Sequence, residues 1–115
     1  IDNVYLANLE TTSTIKWSVR QGSTYKHLLT SNFDSATWTH VVVSSKDTTA
    51  KMYKNGILVG TTNEGQEPNV MTRTNHFIGA GILEDRMVGC FDGTIAYVKM
   101  WLGVELTASD VTSLY

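Results

Sequence analysis

The chain has 115 residues and 12.7 kDa, one cysteine, one proline and nine glycines, with nine Lys plus Arg against eleven Asp plus Glu, which fits a single domain. It is 42% hydrophobic but only 17% charged, below the roughly 25% of an ordinary globular domain. A net charge of −2 gives no clustered basic face for phosphate backbones, so no nucleic-acid partner is expected. No run approaches the ~18 to 20 apolar residues of a membrane helix, so no membrane insertion is expected either. Sixteen Thr, nine Ser and seven Asn supply the polar surface, a composition that favours strands.

The elements follow in chain order. Ile15, Trp17 and Val19 alternate with Lys16, Ser18 and Arg20, the period-two pattern of a strand with one buried face. Gln21-Gly22-Ser23 supplies a turn, Tyr25 to Leu29 reads as a weaker strand, and Thr30 to Ala36 as a polar loop. Trp38 to Ser45 has apolar groups on both sides and reads as a central strand covered on both faces. Asn55-Gly56 suits a two-residue type I′ turn, because both positions tolerate positive φ. The register then sets Lys54 against Ile57, Tyr53 against Leu58 and Met52 against Val59, with Met52 and Val59 on the core side.

Thr62 to Thr74 is a long polar connection containing Pro68. A short strand at His76-Phe77-Ile78, a break at Gly79-Ala80-Gly81 and an acidic loop at Glu84-Asp85 come next. The final long strand is predicted at Phe91 to Trp101, with Ala96, Val98 and Met100 on one face and Ile95, Tyr97, Lys99 and Trp101 on the other. Thr107 is an N-cap answered by Asp110, and Leu106 with Val111 form a hydrophobic staple, which predicts a helix from about Ala108 to Leu114. Eight or nine strands and one helix make the fold all-β, an antiparallel two-sheet jelly-roll sandwich with one short C-terminal helix.

Five blocks then carry a resemblance: Trp38-Thr-His-Val-Val-Val-Ser, Met-Tyr-Lys-Asn-Gly-Ile-Leu-Val-Gly, His-Phe-Ile-Gly, Phe-Asp-Gly-Thr-Ile-Ala-Tyr-Val-Lys-Met-Trp and Glu-Leu-Thr-Ala-Ser-Asp-Val-Thr-Ser-Leu-Tyr. In order and spacing they resemble the laminin G-like group of the concanavalin A-like lectin and glucanase superfamily, including its pentraxin branch. The resemblance spans Ile15 to Tyr115 and implies one laminin G-like domain over residues 1–115. It implies a non-catalytic binding or adhesion module of a secreted, cell-surface or virion-surface protein, recognising a glycan or protein ligand. A structural or assembly domain with no small ligand is the alternative. Members begin with two or three strands before the point where Ile1 stands. The resemblance therefore implies that an upstream segment or a neighbouring chain completes the sheet beside Phe91 to Trp101.

In pentraxins, acidic residues before the long strand bind calcium with ligands from an earlier loop. Glu84 and Asp85 stand in that region, but no earlier acidic pair matches, so neither metal nor cofactor is assigned. Ala96 and Tyr97 stand where members carry acidic residues. No Glu-x-Asp-x-Glu triplet offers the paired carboxylates of a glucanase, and His27, His40 and His76 read as sheet residues, so no catalytic residue is assigned. Cys90 reads as a buried structural thiol. Sugar stacking would use Trp17, Trp38, Trp101, Tyr25 or Tyr97. Of these, Trp38 and Trp101 read as packing residues and Tyr97, with Lys99, as a surface candidate, while the polar loops Thr30 to Ala36 and Thr62 to Thr74 are where a ligand site would most naturally be built. The sequence alone singles out no ligand-binding residue.

Overall fold

The structure, a computed structural model, describes residues 2–83 and 86–115. It divides into two compact units, one running to Asn69 and resuming at Val104–Tyr115, the other Val70–Gly103.

The first unit holds two antiparallel three-stranded sheets. One is ordered β1 (Asn3–Asn8), β2 (Thr14–Gln21), β3 (Thr24–Asn32); the other is β4 (Val41–Lys46), β5 (Thr49–Lys54), β6 (Ile57–Thr62). β1 carries no strand expectation from the sequence, since asparagines bracket its short alternation. β2 forms as its pattern predicts, with Ile15 4% and Val19 2% exposed. Gly22, at φ 57°, takes the left-handed position in the tight connection to β3. β3 runs to Asn32, so the expected loop at Thr30 starts three residues late.

Ile15 and Leu28 from the first sheet meet Ala50 and Met52 from the second, with Trp17, Phe33, Val41, Val43 and Val59 packed around them. This apolar layer between the sheets drives the sandwich, since a buried aliphatic side chain contributes about 1.5–3 kcal/mol. A second cluster lies on the other side of the second sheet, where Val42 and Tyr53 meet Val111, with Leu106 against them. β4 is therefore covered on both sides, as its apolar pattern predicts. It is nevertheless an edge strand of its described sheet, not a central one, and it starts at Val41 rather than Trp38.

Asn55 (φ 50°) and Gly56 (φ 79°) make the expected turn. Lys54 pairs with Ile57 and Tyr53 with Leu58 as predicted, but Met52 pairs with Gly60, because a bulge between Met52 and Tyr53 displaces Val59. Met52 is still fully buried. The segment after β6 straps the end of the sandwich: Gly65 N–H donates to Thr48 O (2.7 Å), and Asp47 N–H to the Glu67 carboxylate (3.0 Å). Gln66 Nε2 donates to Val19 O (2.9 Å) and Thr24 O (3.2 Å), tying the strap to the first sheet as well.

Helix α1 (Ala108–Leu114) begins at Thr107, whose hydroxyl accepts from Asp110 N–H (3.2 Å) while Asp110 Oδ2 accepts from Thr107 N–H (2.8 Å). Bonds from the Thr107 backbone and then its side chain hold the Asp110 carboxyl below its ordinary range. Because the folded value is depressed, this contribution is present above the unfolded carboxyl value and is lost as pH falls through the folded one. Thr107→Ala is expected to lower stability by about 0.5–2 kcal/mol, read as a lower urea midpoint at pH 7. The deficit should narrow in acid; an unchanged midpoint at pH 7 would show that the cap does not anchor the helix.

The second unit contains β7 (Gly81–Leu83) paired with β8 (Arg86–Val88), and Phe91 N–H donates to Gly79 O (2.7 Å). Three expectations are corrected here. His76–Ile78 forms no strand, and β7 starts at the glycine read as a break. Phe91 to Trp101 also forms no strand among the described residues, leaving Val98 57% and Met100 78% exposed. An alternating segment becomes a strand only by pairing, and no described strand pairs with it. Cys90 is exposed rather than buried. Glu84 and Asp85 lie outside the described residues.

Candidate binding face on the first sheet

The registers of β1, β2 and β3 fix which side chains share the side of the sheet turned away from the core. Asn3, Arg20 and Tyr25 form one cross-strand row, Tyr5, Ser18 and His27 the next, and Ala7, Lys16 and Leu29 the third. Alternation puts Val4, Leu6, Ile15, Trp17, Val19 and Leu28 on the opposite, core-facing side. None of the nine outward positions is acidic, although the chain as a whole is net negative.

Contacts knit the three rows into one surface. The Arg20 guanidinium carbon lies 4.6 Å from the Tyr25 ring centroid, and Arg20 Nε donates to Gly22 O at 2.7 Å. Lys16 Nζ lies 5.4 Å from the Tyr5 ring centroid, and Tyr25 and His27 meet at 6.0 Å with their planes tilted by 38°. Beneath them the fully buried Ser18 hydroxyl lies 3.0 Å from His27 Nδ1. Burial, followed by the Lys16 charge, lowers the His27 imidazole from its ordinary value. Burial pushes the Tyr5 phenol up, but hydrogen bonds with Ser18 and Lys16 and the Lys16 charge outweigh it, so the phenol titrates below its ordinary value. The Asp2 carboxylate, at the Gly22 end, accepts from Gly22 N–H (2.8 Å) and the Asn69 amide (2.6 Å).

The aromatic residues singled out by sequence are dispersed. Tyr25 stands on this face, 46% exposed. Trp17 is on the core side, half-buried against the apolar layer. Trp38 and Trp101, read as packing residues, are 68% and 42% exposed, because neither lies on a strand. Tyr97 and Lys99 are exposed as expected, the ammonium 5.2 Å from the ring centroid, but they belong to the second unit. His40 precedes β4, its ring 5.9 Å from that of Tyr115, and His76 Nε2 lies 2.9 Å from Arg73 O. His27 is thus a sheet residue, whereas His40 and His76 are not. Tyr5, Lys16 and Arg20 were not singled out as ligand-binding. The Lys16-Ser18-Arg20 alternation signalled a polar face, but only the β1 register brings Tyr5 onto it.

Among the described residues no group of three or more His, Cys, Asp or Glu is placed to hold a metal ion. A small cleft lined by Trp17, Lys26, His27, Thr62 and Gln66 among others has a volume of about 10 Å³, far below the roughly 300–1,000 Å³ of small-molecule pockets. No helix among the described residues is long and apolar enough to cross a membrane.

No curated protein matches the chain. A solved structure of similar fold is that of an S-layer domain-containing protein (residues 221–444) from Clostridium thermocellum, with a TM-score of 0.63 and 18% identity. The match covers 98% of this chain and 62% of that one. A laminin G family model, described as the concanavalin A-like lectin/glucanases superfamily, matches residues 2–112. With two antiparallel sheets, one capped terminal helix and that match over nearly its whole length, the chain belongs to the concanavalin A-like lectin/glucanases superfamily.

Proposed function

We propose that the chain is a non-catalytic carbohydrate-binding module of a secreted or surface-exposed protein, with its site on the outward face of β1–β2–β3. The observation that carries this reading is the exposed Tyr25 ring, backed by Arg20 and flanked by His27, with Tyr5 on the same face two strands away. A tyrosine face packs against the apolar C–H face of a pyranose, while hydroxyl, imidazole and cationic groups hold its hydroxyls. A retaining glycosidase needs two carboxyl groups about 5–5.5 Å apart, and the nine outward positions offer none. Hence binding rather than hydrolysis.

A second reading is favoured by the solved structure, which comes from an S-layer domain-containing protein: a structural or assembly element with no small ligand. A glycan array probed with the folded chain, with and without calcium, separates the two. Carbohydrate binding predicts discrete positives that Tyr25→Ala weakens by about five- to tenfold, the order of a lost stacking contact of about 1–1.5 kcal/mol. Silence in both conditions would favour the structural reading.

A further inference from the structure

We propose that the outward face of β1–β2–β3 selects acidic saccharides, that is, pyranose chains bearing carboxylate or sulfate groups, with Arg20 and Lys16 as the anion-contacting residues. This rests on the carbohydrate-binding reading and narrows it to one ligand chemistry.

Three features support the assignment. The first is charge: nine outward positions carry two cations and no carboxylate in a chain whose net charge is −2. Asp2, at the Gly22 end, already has both carboxylate oxygens engaged, one by Gly22 N–H and the other by Asn69. A neutral sugar would leave the field of this face unused; an anionic one is complementary to it.

The second is preorganisation. Arg20 is pinned at two points, by its bond to Gly22 O and by the Tyr25 ring. Its terminal N–H groups make no hydrogen bond among the described residues, so they form a planar fork of fixed direction, the geometry that accepts a carboxylate through two parallel bonds. Because the rotamer is already restrained, less side-chain freedom is lost on binding. Lys16 is held over Tyr5 in the same manner, but as a point charge.

The third is spacing. Lys16 and Arg20 are four residues apart on β2 and point the same way, so their backbones stand about 13 Å apart at the strand's rise per residue. One ring does not bridge that distance, whereas an oligosaccharide with acid groups on successive units does. Tyr25 shares the row of Arg20 and Tyr5 stands in the row between the two cations, so the ring faces not turned to Arg20 and Lys16 are the stacking surfaces for the sugar rings.

The test is calorimetric titration of the intact chain with three probes: an oligogalacturonate (carboxylate), a heparin oligosaccharide (sulfate) and a cello-oligosaccharide (neutral). At least one acidic probe should bind about tenfold or more tightly than the neutral one, with affinity falling as salt rises. Arg20→Gln and Lys16→Gln should each weaken acidic binding by about tenfold with unchanged melting temperature, while Lys51→Gln on β5 should not. Should Arg20→Gln fail to fold, Arg20→Lys keeps the charge and loses the fork; it should weaken the carboxylate probe more than the sulfate probe if galacturonate is the better ligand. Preference for a carboxylate or a sulfate identifies the source of the anion. Equal or tighter neutral binding would overturn the acidic selectivity and leave carbohydrate recognition standing. Acidic binding that survives both Gln substitutions would remove the site from this face. No binding of any probe would overturn both.

Discussion

Gly60→Ala is expected to destabilise the chain by about 1–3 kcal/mol, the usual cost of adding a methyl group to a filled interior. A Cβ there would stand 2.5 Å from Thr30 Cγ2 and 3.3 Å from Leu28 Cδ1. The cause is contact between β6 and β3 rather than backbone conformation, since Gly60 is not among the residues of positive φ. Thr30 has little room to yield, because a β-branched side chain is stiff at χ1 and its hydroxyl bonds to Met52 Sδ at 3.0 Å. Thr30→Ser removes the offending methyl group and keeps that hydroxyl. The double variant Gly60→Ala with Thr30→Ser should therefore recover most of the loss, giving a clear coupling energy in a urea-denaturation cycle. An unchanged midpoint for Gly60→Ala alone would show that the sheets stand further apart here.

That same contact explains what the sequence could and could not disclose about the second sheet. Asn55-Gly56 and the Thr107 cap were legible because each is a local requirement, satisfied within four residues of chain. The Met52 to Val59 pairing was not. The hairpin turn fixes only the first two pairs, and the bulge after them lets Gly60, the residue without a Cβ, face the neighbouring sheet. Such a bulge answers a tertiary contact that no window along one hairpin contains.

The candidate face was half legible for a related reason. Period two placed Lys16, Ser18 and Arg20 together, while Ile15, Trp17 and Val19 took the core. Joining them to Tyr5 and to Tyr25 and His27 needed two cross-strand registers, one from a strand whose flanking asparagines hid it. Trp38 and Trp101 fail in the opposite sense. Their read burial assumed strands at 38–40 and 91–101, and without a ladder a tryptophan in an alternating segment has no sheet face to pack on.

Phe91 to Trp101 leads to the last expected result, the association of the isolated chain with itself. Its alternation is that of a strand, yet Val98, Met100 and Trp101 are 57%, 78% and 42% exposed and no described strand pairs with them. Apolar side chains beside an extended backbone invite strand addition by whatever chain is available. In a solution of the 115 residues another copy of the chain can fill that role. Light scattering should therefore show an apparent mass that rises with concentration, well beyond the 12.7 kDa monomer. Val98→Lys combined with Met100→Lys should suppress the rise by placing charges along the pairing edge. The melting temperature measured at low concentration should hold, because both side chains are already exposed and leave no core contact behind. A chain that stays monomeric at every concentration would mean that this segment needs no partner, and the strand-like alternation would then lack a physical reason.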